Sequence, residues 1–348
     1  MVRDRVSPFL EERDIFVDSM CGFRPKKSSQ DILLQLHREV LNPVQHPHND
    51  KIILALDLRG AFDNVNHKVI LAHLSATNYG ERTFNYIRHF LTDRAAYIRI
   101  QDQENGHYPL GTRGTPHGAV LSPLLFKLAM AQLPARLAAV DGVKHALYAN
   151  DITLCVTQEC LGSMEDSLQT TAHIVDEYAA YCGLQCSPQK SEFAHLRPSV
   201  KCTSSINLSL HSVPIDEAQE IRVLGLHIHK HRTVETTLHK LRKFGEHVGR
   251  MVRRVSNKRG CFKSKDALRL AHAFVTSRIL YATPYLHLRK HNEDSSEVTP
   301  RKIVKRALDL LITTSNAKLL ALGVITTYEE LREAHRTYQY TRLAHTPL

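Results

Sequence analysis

Cysteine is sparse in this 348-residue chain and badly spaced for chemistry. The seven (Cys21, Cys155, Cys160, Cys182, Cys186, Cys202 and Cys261) are odd in number and never form CxxC. Cys182 and Cys186 give CxxxC, but no His or Cys pair follows at zinc-site spacing. Free, mostly buried thiols are therefore expected rather than disulfides or a metal centre. Long apolar runs are missing too, and nothing approaches the roughly 20 residues of a membrane span. The opening MVRDRVSPFLEERD lacks the apolar core of a signal peptide, which predicts an intracellular protein. No internal repeat or low-complexity tract occurs. The 22 histidines read as surface polar residues rather than ligands.

Acid is the scarcer charge. Lysine and arginine number 46 against 35 aspartates and glutamates, for a net charge of +11 and a pI near 9.3. A polyanionic partner follows, nucleic acid first and a membrane surface second. The excess is concentrated. Lys240, Arg242, Lys243, Arg250, Arg253, Arg254, Lys258, Arg259, Lys263 and Lys265 face a single acid, Glu246. A hydrophobic fraction of 43% and a charged fraction of 23% are those of a globular protein, and the length predicts about two units.

The opening fourteen residues are mixed and uninformative. In CGFRPKKSSQDILLQLHREVL, glycine and proline bracket an arginine, two lysines follow, and a helix starts near Ser28 or Ser29. Cations before a helix N-terminus suit a phosphate, and a solvated loop with an ordinary cap reads equally well. Residues 52–58 are almost continuously apolar, as in a central strand buried on both faces. Asp57 near its end is costly to bury without a partner or a metal, unless it merely caps the next helix. Helices carrying Val65, Val69 and Ala72, and over 81–91, precede a strand AAYIRIQ. GTRGTPHGAVLSPLLFKLAM is a glycine-rich loop entering a helix with Leu121, Leu125 and Leu128 inward. Gly114 and Gly118 let backbone lie against something flat such as a base pair, or simply make a turn. HALYANDITLCV reads as a hairpin, with runs at 146–149 and 152–156 and with Asn150 and Asp151 in the turn. It is an acidic tip or an ordinary surface hairpin. A helix over 163–182 breaks at Gly183, and GLQCSPQKSEF places Lys190 between a turn and a strand. Short strands follow around 206–210 and 221–228.

From about residue 232 the periodicity is helical, with helices expected at 233–256, 264–280, 299–312 and 327–342 and a polar loop at 291–302. The order of elements predicts an α/β or split βαβ sheet followed by an α-helical basic unit. If the strand of Asp57 pairs with the hairpin of Asp151, their acidic ends converge. Carboxylates so placed hold Mg²⁺ ions about 3.5–4 Å apart for phosphoryl transfer.

In order and wording the chain resembles the reverse transcriptase of a non-LTR (LINE-like) retrotransposon of the arthropod, tick-like type. The likeness runs from Gly22 to about Ile228 and continues more weakly beyond. GFRPKKSSQD is similar to the family's fingers motif, LDLRGAFDNV to its first catalytic motif, and GTPHGAVLSPLLF to its template and nucleotide motif. LYANDITLC stands where the family has Tyr-x-Asp-Asp, GLQCSPQKSEF resembles its lysine-bearing motif, and IRVLGLHI its primer-grip motif. The resemblance implies an α+β right-hand polymerase. Partial fingers would occupy 1–50, a palm with an RRM-like split βαβ sheet 51–230, and a helical thumb 231–348. Asp57, the carbonyl of Leu58, Asp151 and position 150 would hold two Mg²⁺ ions, with Mn²⁺ an alternative. Arg24 and Lys26 or Lys27 would lie near the triphosphate, and Phe62 would crowd a ribose 2′-OH. His117 and Gly118 would meet the nucleotide and nascent base pair, Lys190 would protonate pyrophosphate, and Leu224 with Gly225 would hold the primer end. The partners implied are an RNA template, a DNA primer and dNTPs, in the nucleus or a cytoplasmic ribonucleoprotein.

The pattern departs from the family twice. His117 stands where the family usually has Gln, so altered nucleotide binding is expected. Asn150 replaces the first Asp of the hairpin pair and offers a neutral carbonyl oxygen in place of a charge. A severely impaired or inactive polymerase is the expectation, so a non-catalytic nucleic-acid-binding remnant is the rival reading. The wording disfavours a group II intron maturase or a telomerase. No endonuclease, RNase H-like or Cys–His knuckle segment is present, and the chain is expected to be a fragment or decayed copy of a longer polyprotein.

Overall fold

A computed structural model describes residues 2–42, 49–158, 160–197, 205–231, 233–255 and 263–344. Cys202, Cys261, Lys258 and Arg259 fall outside these residues. The chain divides into two units, Met1–Ile32 with His48–Ile221, and Leu33–Pro47 with Arg222–Leu348. The first is α+β and the second helical apart from a short hairpin. The division falls near residue 221, and the segment Leu33–Pro47 groups with the helical unit.

β1 (Asp50–Arg59) is the central strand of the first unit. Ile52, Ile53, Leu54, Leu56 and Leu58 are each 2% exposed or less, as an apolar run covered on both faces requires. Each such side chain contributes about 1.5–3 kcal/mol by leaving water. Two short helices, α1 (Val2–Glu12) and α2 (Ser29–Leu36), precede it; α3 (Ala61–Asn64), α4 (His67–Ala76) and α5 (Glu81–Leu91) follow. The stretch that gave no sequence signal is thus helical: Val6 and Leu10 bury one turn apart and fix α1 against the core. β2 (Ala95–Ile100) and β3 (Gln103–Pro109) form a separate exposed hairpin, where only one strand was expected.

After α6 (Ser122–Met130) and α7 (Leu133–Leu137) come β4 (Val143–Tyr148), β5 (Asp151–Gln158) and α8 (Leu161–Tyr181). β6 (Gln185–Cys186), β7 (Glu192–Leu196), the small β8 (Ser209–Leu210) and β9 (Val213–Pro214) ladder, and β10 (Asp216–Glu217) complete the unit. The sheet order is β10-β7-β1-β5-β4, with β6 also on β1. β1 is antiparallel to both β5 and β7, and β10 is parallel to β7. Met164, Leu168, Ala172, Val175 and Ala179 of α8 are fully buried, which seats the helix on the sheet.

β11 (Glu220–Val223) and β12 (Leu226–His229) make a hairpin turned at Leu224 and Gly225. Both turn residues have positive φ (46° and 89°), and the hydroxyl of Tyr281 donates to the Leu224 carbonyl at 2.7 Å. The helical unit then comprises α9 (Glu235–Val255), α10 (Ser264–Ala271) continued by a π turn into α11 (Ser277–Ala282), α12 (Lys290–Ala307), α13 (Asn316–Ala321) and α14 (Tyr328–Ala344). The expected loop at 291–302 is helix instead. Asn292, Ser296, Thr299 and Ile303 bury on one face, and Glu297 pairs with Arg301 one turn on. Pro300 lacks an N–H, yet burial of that face outweighs the lost bond. No described helix is long and apolar enough to cross a membrane. Cys21, Cys155, Cys182 and Cys186 are buried thiols, and Cys160 is an exposed one.

Candidate active site

β1 passes from buried to exposed at its C-terminal end, and Asp57 sits at that edge. Its register partner on β5 is Asp151. Directly opposed residues of an antiparallel pair project from the same face, so the two carboxylates share one end of the sheet. Asn150 joins them: its Nδ2 donates to Asp57 Oδ1 at 3.2 Å. Lys190 approaches from the turn before β7, with Nζ 3.4 Å from Asp57 Oδ2. Oδ2 is buried and makes no hydrogen bond, so Lys190 supplies charge without satisfying it. The backbone is tied down as well. The Asp57 carbonyl accepts from the Ser187 N–H at 2.9 Å, and the Asn150 carbonyl from the Leu58 N–H at 3.4 Å.

The hairpin differs from expectation by one residue. Its turn is Ala149–Asn150, and Asp151 already belongs to β5, paired with Tyr148 and Asp57. Ala149 carries the strain, at φ 56°. Pairing with β1 outweighs the turn preference of Asp, because the ladder satisfies backbone groups that a wider turn would leave open.

Phe62 and the glycine-rich loop lie beside this edge. The loop is bound to the α3 segment by Gly114 N–H to Val65 O (2.8 Å) and Thr115 N–H to Phe62 O (2.7 Å). His67 Nε2 and Arg94 Nη2 both meet the Gly114 carbonyl, at 2.6 and 2.9 Å. Phe62 packs on Phe126 with ring centroids 5.0 Å apart and sits 6.2 Å from His117. His117 Nε2 lies 2.7 Å from Asp63 Oδ1, both side chains exposed. Gly118 has φ 79° and open space where a Cβ would stand.

The GFRPKKSSQD segment is built differently from its sequence reading. Arg24 does not present its charge to a ligand. Its Nε and Nη2 grip Glu11 Oε2 at 2.8 and 2.6 Å, and its Nη1 donates to the carbonyls of Val17 and Met20. It is a buried strut, invisible in the sequence because Glu11 lies in the uninformative opening stretch. Lys27 pairs with Asp18 at 2.9 Å, and Lys26 is exposed at φ 61°. Gly22 lies on the hairpin so closely that a Cβ would strike the backbone of Tyr148 and Ala149. Phe23 then reaches the rings of Phe62 (6.3 Å) and Tyr148 (6.5 Å).

Lys127 holds this loop from below and gave no sequence signal. It is 4% exposed, donates to the Phe23 carbonyl at 3.0 Å, lies 4.4 Å over the Phe16 ring and stands 3.8 Å from Glu11. Burial pushes its ammonium down to about 8, against the pull of Glu11. A lysine whose folded value is depressed penalises folding while charged, so the penalty lifts as pH rises from about 8 towards 10.5. The stability of the parent minus that of Lys127→Met should therefore rise by about 1–3 kcal/mol over that window in urea titrations. Buried Cys21, Cys182 and Cys186, pushed up to about 11, 12 and 12, work in the opposite direction but cancel in the difference. A flat difference would mean that Lys127 is not held as described.

A divalent cation fits this edge on one observation: Asp57 Oδ2 is a buried acceptor without a hydrogen bond, next to a second carboxylate. The donor set contains two acids, and no cluster of three His, Cys, Asp or Glu side chains able to hold a metal occurs among the described residues.

Within the helical unit, α9 and α12 enclose a cleft of about 580 Å³ lined by Arg242, Arg250, Lys302, Arg306 and one acid, Glu246. Gly245 and Gly249 let the helices close up, since a Cβ there would meet Thr299 and Arg306.

A family model described as reverse transcriptase (RNA-dependent DNA polymerase) matches residues 1–228. A probable RNA-directed DNA polymerase from transposon BS of Drosophila melanogaster is 25% identical over 77% of the chain and 28% of its own length. A retrovirus-related Pol polyprotein from the type-1 retrotransposable element R2 of Popillia japonica is 24% identical over 76% of the chain and 37% of its own length. The chain thus spans roughly a third of the curated relatives it matches. A solved telomerase from Candida albicans, in complex with a fragment of telomeric RNA, shares the fold. Its TM-score is 0.51 at 12% identity, over 97% of this chain and 56% of that one.

Proposed function

Because the chain belongs to the reverse transcriptase (RNA-dependent DNA polymerase) family, we propose that it is the polymerase domain of a non-LTR retrotransposon whose catalytic edge is damaged at Asn150. The observation that carries this reading is the register pairing of Asp57 with Asp151, with Asn150 hydrogen-bonded to Asp57 and Lys190 against it. In this reading the first unit combines fingers and palm, and the helical unit is the thumb.

The reaction is attack of a primer 3′-hydroxyl on the α-phosphate of a dNTP, opposite an RNA template, with pyrophosphate leaving. Asp57, the Leu58 carbonyl, Asp151 and Asn150 would hold Mg²⁺. Bound there, Mg²⁺ supplies charge neutralisation and a more acidic 3′-hydroxyl. Lys190 is exposed enough to reach solvent and close enough to the edge to hand its proton to the departing pyrophosphate. Phe62, fixed by Phe126, would crowd the 2′ position of the sugar, and Phe23 and Tyr148 would extend that wall. His117 and Gly118 would meet the incoming base pair, with Lys26 on the solvent side.

Asn150 is the observation that favours the second reading, a nucleic-acid-binding remnant without polymerase activity. Its amide donates to Asp57, and it removes a negative charge from the set facing the cation. Both readings share a test of the α9–α12 cleft. Binding of a fluorescent RNA–DNA template–primer should weaken steeply with salt, as release of counterions from phosphates demands. Arg250→Gln with Arg306→Gln should lower the log–log salt slope by about 1–2. A slope unchanged by both substitutions would remove the cleft from the nucleic-acid interface.

A further inference from the structure

We propose that the helical unit carries a separate site for a phosphoryl oxyanion, at the N-terminus of α12. The inference does not depend on polymerase chemistry at Asp57. A cavity of about 450 Å³ is lined there by His229, His231, Glu235, His287, Arg289 and Asn292, among others.

α12 is 18 residues long and begins without a side-chain cap: Arg289 at the N-cap position makes none. The amides of Lys290 and His291, the first two of the helix, have no acceptor among the described residues. Free amides and the positive end of the helix dipole suit an anion. A second observation is independent of the helix end. Asn292 lines the cavity, is only 4% exposed, and its Nδ2 is a buried donor with no hydrogen-bond partner. An unpaired buried donor costs about 1–3 kcal/mol, and an oxyanion in the cavity would satisfy it.

The remaining lining completes a donor set. Arg289 adds a full positive charge with no ion pair among the described residues. His229 Nδ1 accepts the His231 N–H at 3.3 Å, so the neutral ring carries its proton on Nε2 as a donor. Glu235, at the first residue of α9, is the opposing charge. A tetrahedral dianion with several acceptor oxygens matches amides, amide nitrogen and guanidinium together, whereas a metal ion does not. No set of three ligating side chains converges there among the described residues.

The test is calorimetric titration of the full chain with inorganic phosphate at constant ionic strength, beside Arg289→Gln and Asn292→Leu. One saturable site is expected in the parent, weakened about tenfold in each variant, the loss of one charge-assisted hydrogen bond. Arg289 is exposed, so its variant carries little folding risk, and a thermal melt checks Asn292→Leu. The proposal is overturned if no saturable site appears, or if Arg289→Gln binds phosphate like the parent. A short single-stranded oligonucleotide without terminal phosphate then serves as competitor. Displacement of phosphate identifies backbone phosphodiesters as the natural source, and no displacement identifies free phosphate or a monoester. Either result upholds the site.

Discussion

An Asn150→Asp chain is expected to extend a primer about 10²–10³-fold faster than the parent in single-turnover assays with Mg²⁺. That factor is the typical worth of one preorganised electrostatic group aimed at developing charge. In the parent, the Asn150 amide points its donor at Asp57 Oδ1, 3.2 Å away. The substitution swaps that donor for a third carboxylate beside Asp57 and Asp151. Without a cation the three acids repel, so the variant should melt below the parent in chelator. With Mg²⁺ it should recover more than the parent does, since a ligand that binds only the folded state stabilises in proportion to its affinity. Melting temperature and extension rate therefore report on the same edge by different routes. If the variant shows no gain in extension and no larger Mg²⁺-dependent shift, Asn150 is not the lesion. A metal shift without extension would move the lesion elsewhere, with His117 the first position to examine.

The carboxylate edge at Asp57 and Asp151 was largely legible because it rests on strand physics. An apolar run with a late Asp forces a buried strand to end in a charge, and the hairpin had to pair somewhere. What misled at the hairpin was local preference. Asn150 and Asp151 favour turns, but Asp151 is held in β5 by Tyr148 and Asp57, and Ala149 takes the left-handed conformation instead. Residues 291–302 misled for a similar reason. Asp294, Ser295 and Pro300 read as loop residues, while the face of Asn292, Ser296, Thr299 and Ile303 is visible only once its burial is known. Arg24 and Lys127 show the remaining gap. Arg24 stands in a segment where cations imply phosphate and Lys127 gave no signal at all, yet both are held inward by contacts that bring Glu11, Phe16 and Phe23 together from distant positions.

Gly114→Ala is expected to cost about 3–4 kcal/mol, because two independent penalties meet there. At φ 76° a residue with a side chain pays about 1–2 kcal/mol for the left-handed conformation. The new methyl would also strike the backbone of Asp63, which cannot swing aside as a side chain could. Relief requires the loop to retreat from α3, breaking the Gly114–Val65 and Thr115–Phe62 bonds and the hold of Arg94 and His67 on the Gly114 carbonyl. The melting transition of the α+β unit should fall by about 6–14 °C. Gly118→Ala provides the contrast. It has nearly the same φ, 79°, but open space around the added methyl, so only the conformational penalty of about 1–2 kcal/mol applies. Since the retreating loop releases the Phe62 carbonyl, Gly114→Ala in an Asn150→Asp background should also weaken discrimination against ribonucleotides more than Gly118→Ala does. Equal melting temperatures for the two alanine variants would show that the loop is not packed on Asp63, and with that the wall at Phe62 would lose its support.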